Sequence, residues 1–132
     1  MLQRDYILEL IAEFAESVAA AFRLAVEKDD PKGCEQVEQQ IAELIELDPS
    51  TAMQLAPDSL VTMMLLSGMG DSVASYVCWS LARLSEVYAK MGEEDLSGLR
   101  RLQAEAVATS FNCDADEAPE ELQAVSAELF SK

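Results

Sequence analysis

Apolar residues recur along this chain at the spacing of a helical face, and no stretch alternates in the manner of a strand. Ile7, Leu10, Ile11, Phe14, Val18, Ala21, Phe22 and Ala25 follow an i, i+3, i+4, i+7 rhythm, which predicts a first helix over about residues 2–27. "KDDPKG" breaks it, and Pro31 stands where a first helical turn accepts a residue without an amide hydrogen. A second helix then turns Cys34, Val37, Ile41, Leu44 and Ile45 inward until "LDPS".

The middle reads as two short helices, one capped by Ser50 or Thr51 and one opened by Pro57 and closed by Gly68 and Gly70. Asp71 is expected to cap a long helix over about 72–91, with a main face of Val73, Val77, Leu81, Leu84, Tyr88 and Met91. Trp79 and Ala82 fall on another face, so this helix is either buried between neighbours or lends one side to an oligomer. Gly92 ends it in a left-handed turn, and a sixth helix over about 93–111 presents Leu96, Leu99, Leu102, Ala106 and Val107. After the polar linker "NCDADEAPEE", Leu122, Val125, Leu129 and Phe130 mark a last amphipathic helix.

The expectation is one all-α domain over residues 1–132, with about six to seven helices in antiparallel hairpins. Residues 1–48 form a first hairpin, 49–70 the short middle helices, 71–111 a second hairpin and 116–132 the C-terminal helix.

Leu81, Leu84, Ser85, Tyr88, Gly92, Ser97 and Ala104 lie at spacings that resemble the tetratricopeptide repeat, a helical hairpin of about 34 residues. Where that pattern has a large apolar residue between Ser97 and Ala104, this chain has Arg101 with Leu102 beside it. Leu24, Gly33 and Val37 echo the pattern in the first hairpin. Together "RDYILELIAEF", "AELIELDPSTAMQLAPDSLVTMM" and "YAKMGEEDLSGLRRLQAEAV" resemble an uncharacterised family of small bacterial proteins with tetratricopeptide-like hairpins. The resemblance implies an α-α superhelix type of fold and an interaction role, and brings no catalytic residues.

Charge narrows the function classes. With 25 acids against 9 Lys and Arg, the chain carries −16, a field that repels nucleic-acid phosphates and anionic headgroups. No nucleic acid and no membrane are expected as partners. Asp5, Glu9 and Glu13 interrupt the apolar N-terminal positions too densely for a signal core or a spanning helix, so a cytoplasmic location is expected. Histidine is absent, which removes the commonest general base and transition-metal ligand and argues against an enzyme. Glu9 with Glu13, and Glu35 with Glu38, share helical faces, but the Glu-x-x-His pairs of a di-iron bundle are missing. Pro119 and Val125 stand where a calcium loop beginning at Asp114 needs glycine and glutamate. Cys34, Cys78 and Cys113 form no CxxC pair, so neither a disulfide framework nor zinc is indicated.

No catalytic, cofactor or metal residue is therefore assigned. The candidates are for interaction. Residues 83–101 balance four cations (Arg83, Lys90, Arg100, Arg101) against four acids (Glu86, Glu93, Glu94, Asp95), a neutral region in an otherwise repulsive chain where another protein can dock. Two candidate hairpins are fewer than a repeat stack normally needs, which favours a homodimer, with Trp79 or Phe14 on the shared surface. The alternative is a small-molecule sensor or carrier with a pocket lined by Met53, Met63, Met64, Met69 and Met91.

Overall fold

A computed structural model describes residues 2–131, with side chains from Tyr6 onward. Among them are seven α-helices and no strand: α1 (Leu2–Glu27), α2 (Pro31–Ile45), α3 (Pro49–Gln54), α4 (Pro57–Leu66), α5 (Asp71–Lys90), α6 (Glu94–Ser110) and, after a 3₁₀ turn at Glu120–Leu122, α7 (Gln123–Leu129).

Three helices begin with proline at their first position, where the missing N–H costs nothing. The α2 and α3 starts are capped by the preceding aspartates. Asp30 accepts from the Lys32 N–H at 3.0 Å, and Asp48 accepts from the N–H groups of Ser50 at 3.2 Å and Thr51 at 3.4 Å. The cap of α3 is thus Asp48 and not Ser50 or Thr51, because Pro49 takes the first helical position. Asp71 likewise lies inside the first turn of α5, after Gly70.

Helix ends share one device. Among the described residues five have positive φ: Asp29, Glu46, Gly68, Gly92 and Asn112, one after each of α1, α2, α4, α5 and α6. After four of them the next N–H reaches back five residues, as from Leu47 to the Ala42 carbonyl at 2.9 Å and from Cys113 to that of Ala108 at 3.1 Å, and after Asp29 the Asp30 N–H reaches back six, to Leu24 at 3.4 Å. These left-handed closures satisfy carbonyls that the helix leaves free.

Two hairpins carry the core. In α1–α2 the backbones nearly touch: a Cβ on Gly33 would lie 2.5 Å from both the Ala21 carbonyl oxygen and the Ala25 nitrogen. In α5–α6 two serines play the same part. Ser85 Oγ donates to the Ser97 carbonyl and Ser97 Oγ to that of Ser85, both at 2.8 Å. Helix α5 touches α1, α2 and α6 and is buried almost throughout, while α3 packs on α2 and α4 on α6. The C-terminal segment folds back on α1, where Phe130 stands edge-on to both Phe22 and Trp79 with centroids 5.3 and 5.9 Å away.

The inward face of α6 differs from expectation. Its buried residues are Arg100, Gln103, Ala104 and Val107, whereas Leu102 points outward at 55% exposure. The last helix is also shorter than expected, since Pro119 starts a 3₁₀ turn before α7.

Candidate functional site

The residues singled out by charge and by apolar pattern do not form one surface. Trp79 is fully buried and Phe14 nearly so, packed edge-on against Phe22 and Tyr76 respectively. Both belong to the core, because α5 lies between α1, α2 and α6 and has no free apolar side at Trp79. Neither lies on an accessible surface of the folded chain.

Arg83 and Arg100 are interior as well. The Arg83 guanidinium lies over the rings of Trp79 and Phe130 at 5.8 and 5.9 Å. Its Nη2 donates to Asp116 at 2.8 Å, and its Nε is 2.9 Å from Glu86, misaligned for a hydrogen bond. Lys90 is exposed at the end of α5 and Arg101 is half-buried. The neutral region of the sequence therefore folds into two internal arginines and two outer cations, not one docking patch.

Arg100 organises a polar interior that the sequence pattern does not disclose. Its Nε and Nη2 donate to Glu38 Oε2 at 3.1 and 2.9 Å, and Nη1 donates to the Met53 carbonyl at 2.8 Å and to Gln103 Oε1 at 3.0 Å. The Tyr88 hydroxyl donates to the same Glu38 oxygen at 2.7 Å, and Gln103 Nε2 donates to the Leu55 carbonyl at 2.9 Å. Burial, followed by the hydrogen bond to Glu38, raises the Tyr88 hydroxyl well above its ordinary pKa. Arg100 and Gln103 thereby satisfy carbonyls at the end of α3, a helix too short to hold itself.

The unpartnered apolar surface lies elsewhere. Among the described side chains six large hydrophobic ones are exposed, and five of them stand on the first turns of α1 (Tyr6, Ile7, Leu8) and the end of α4 (Leu65, Leu66). These two places adjoin. Tyr6, Ile7, Leu10 and Ile11 form one wall of a groove of about 350 Å³, and Leu44, Met69, Val73 and the Ser67–Gly70 turn complete it. Glu46 is the one charged residue in that lining. The left-handed closure at Gly68 sets the far wall: Met69 N–H bonds to the Met64 carbonyl at 3.3 Å, which holds the Met69 side chain toward α1. The sequence signal was present in the stripe of α1, whose Ile7 and Leu10 continue the face past the point where α2 and α5 cover it.

The methionines do not gather. Met64 is core, Met69 lines the apolar groove, Met53 a cleft beside Arg100, and Met91 a small depression of about 60 Å³ near Phe130. Among the described residues no group of three or more His, Cys, Asp or Glu is arranged to hold a metal ion. No helix among them is long and apolar enough to cross a membrane. The chain matches no protein-family model, no curated protein and no solved structure.

Proposed function

We propose that this protein is a non-enzymatic helical interaction module of tetratricopeptide-like build, and that two copies associate through the apolar groove between α1 and the α4–α5 turn. The observation that carries this reading is the concentration of exposed apolar side chains on that one end. Tyr6 and Ile7 line the groove itself, and Leu8, Leu65 and Leu66 flank it in sequence; a standard interface of roughly 800 Å² per partner needs both sets. The serine contacts across α5–α6 and the Gly33 contact across α1–α2 support the resemblance to repeat hairpins.

Net charge gives the association a distinctive signature. Two copies at −16 each repel, so apolar association must strengthen as salt screens that repulsion. Docking of a cationic partner has the opposite salt dependence. Light scattering at micromolar protein in about 0.05 and about 0.5 M salt should show a dimer favoured by the higher salt. Ile7→Glu, at an exposed side chain that lines the groove, should abolish the dimer with helicity unchanged. A monomer at both salt concentrations defeats self-association. In that event, protection by an apolar dye seated in the groove would support the small-molecule carrier instead.

A further inference from the structure

Cys78 and Cys113 are 35 positions apart in sequence, yet the fold brings them to one seam of α5 and α6. Cys78 Sγ donates to the Ala104 carbonyl at 3.4 Å, and Cys113 Sγ approaches the Val107 carbonyl at 3.9 Å. Those carbonyls are three residues apart, about one turn of α6, so both sulfurs face the same short stretch of that helix. The closure at Asn112 sets this geometry, because the Cys113 N–H bonded to the Ala108 carbonyl turns its side chain back over the end of α6.

Access is asymmetric. Cys78 is fully buried, whereas Cys113 is part-exposed and lines an open cleft of about 710 Å³ between the start of α5 and the 112–123 segment. Asp71, Asp114, Glu117 and Glu120 also line it, with no lysine or arginine. Such a cleft excludes anionic thiols and disulfides and admits a small neutral oxidant.

We propose that Cys113 and Cys78 are a thiol pair that a neutral hydroperoxide converts into an intrachain disulfide. The Cys113 thiolate attacks one peroxide oxygen, forming S–O as O–O breaks, and the departing hydroxide takes up a proton to leave as water. The Cys78 sulfur then attacks the sulfenic sulfur; S–S forms, S–OH breaks, and the hydroxide leaves as water with the proton of Cys78. In sum, two thiols and one hydrogen peroxide give one disulfide and two waters, and a dithiol reductant reverses the change.

Burial holds the Cys113 thiol above its ordinary pKa; contact with Cys78 opposes that, and the charges of Asp71 and Asp114 add to it. Reaction at neutral pH is therefore slow, which suits a response to sustained exposure. Cys34 is the internal control, since it is fully buried in α2, away from the cleft, and burial pushes its thiol up to about 12.

The test uses the full chain and hydrogen peroxide. Thiol titration after denaturation should fall from three to one, with a mass lower by two hydrogens, no covalent dimer, and a peptide map joining Cys78 to Cys113. Cys34→Ser should still lose two thiols. Cys113→Ser changes a part-exposed side chain, and should slow oxidation of Cys78 by about tenfold or more. Three thiols surviving in the unsubstituted chain, a disulfide between chains, or Cys113 oxidised further while Cys78 stays free would each overturn the proposal.

Discussion

Glu38 of α2 and Arg100 of α6, sixty-two residues apart, meet at 2.9 Å where the arginine side chain is only 3% exposed. The pair joins the two hairpins and, through the Met53 carbonyl, fixes the end of α3. Removing one partner of a buried pair leaves the other charge without compensation. Arg100→Ala should therefore cost about 3–5 kcal/mol in urea unfolding, and Glu38→Gln, which keeps an acceptor for Tyr88, about 1–2 kcal/mol. Equal and small effects would mean that water already reaches the pair.

Two glycines make an opposed pair of substitutions. At Gly33 a methyl group would meet backbone atoms of α1 at 2.5 Å, which cannot yield as a side chain end would. Gly33→Ala should cost about 3 kcal/mol or more by forcing α1 and α2 apart. Gly98, inside α6, has nothing within 4 Å of its added Cβ. Gly98→Ala should stabilise by about 0.5–1 kcal/mol, because alanine gives up less backbone freedom in a helix. Thermal melts of the two variants should move in opposite directions.

Trp79 is the chain's single tryptophan, and its emission should be blue-shifted and poorly quenched by iodide, as befits a ring with no exposed area. Its Nε1 has no hydrogen-bond partner. Trp79→Phe deletes that unsatisfied donor while opening a small cavity, and these opposed terms should leave a loss of about 1–2 kcal/mol. Trp79→Glu should abolish helicity, the outcome for a core position, and circular dichroism distinguishes it from the loss of a dimer contact.

Stability should fall at both ends of the pH scale. Hydrogen bonds from Ser50 and Thr51 lower Asp48, and the hydrogen bond from Arg23 lowers Glu128. A depressed carboxylate contributes stability above its unfolded pKa of about 4, and that contribution is lost as pH falls through the folded value. Burial, and then hydrogen bonds to Glu121 and Glu38, raise Tyr76 and Tyr88. A raised hydroxyl contributes stability that is whole below its unfolded pKa of about 10 and declines as pH rises beyond it. Burial also raises the Cys34 and Cys78 thiols, whose unfolded pKa is about 8.5, so urea midpoints should form a plateau between about pH 5 and 8, and Tyr88→Phe should lessen the further loss above about pH 10.

Helix number and most boundaries were legible because local chemistry dictates them. Pro31, Pro49 and Pro57 open helices, Gly68 and Gly92 close them, and the apolar period fills the spans between. The inward face of α6 was not legible. Periodicity ranks Leu102 above Arg100, yet Glu38 and the α3 carbonyls supply every partner that a buried guanidinium needs, and those partners come from distant sequence. The same limit applied to the surface: an apolar second face on α5 is equally the mark of a core or of an interface, and only the positions of α1 and Phe130 decide between them. The proximity of Cys113 to the α5–α6 seam was hidden because it depends on a left-handed closure at Asn112, which asparagine tolerates but which no local pattern requires.

The ring cluster of Phe22, Trp79 and Phe130 spans almost the whole chain, and the neighbouring Arg23–Glu128 pair joins residues 105 positions apart. During translation, Phe22 and Trp79 emerge long before the residue that covers them, and the Arg83 guanidinium waits with them for Asp116 and Phe130. Until residue 130 clears the ribosomal exit tunnel, the nascent chain displays an aromatic cleft of the kind that holding chaperones bind, so closure of this core waits on a segment more than a hundred residues after Phe22.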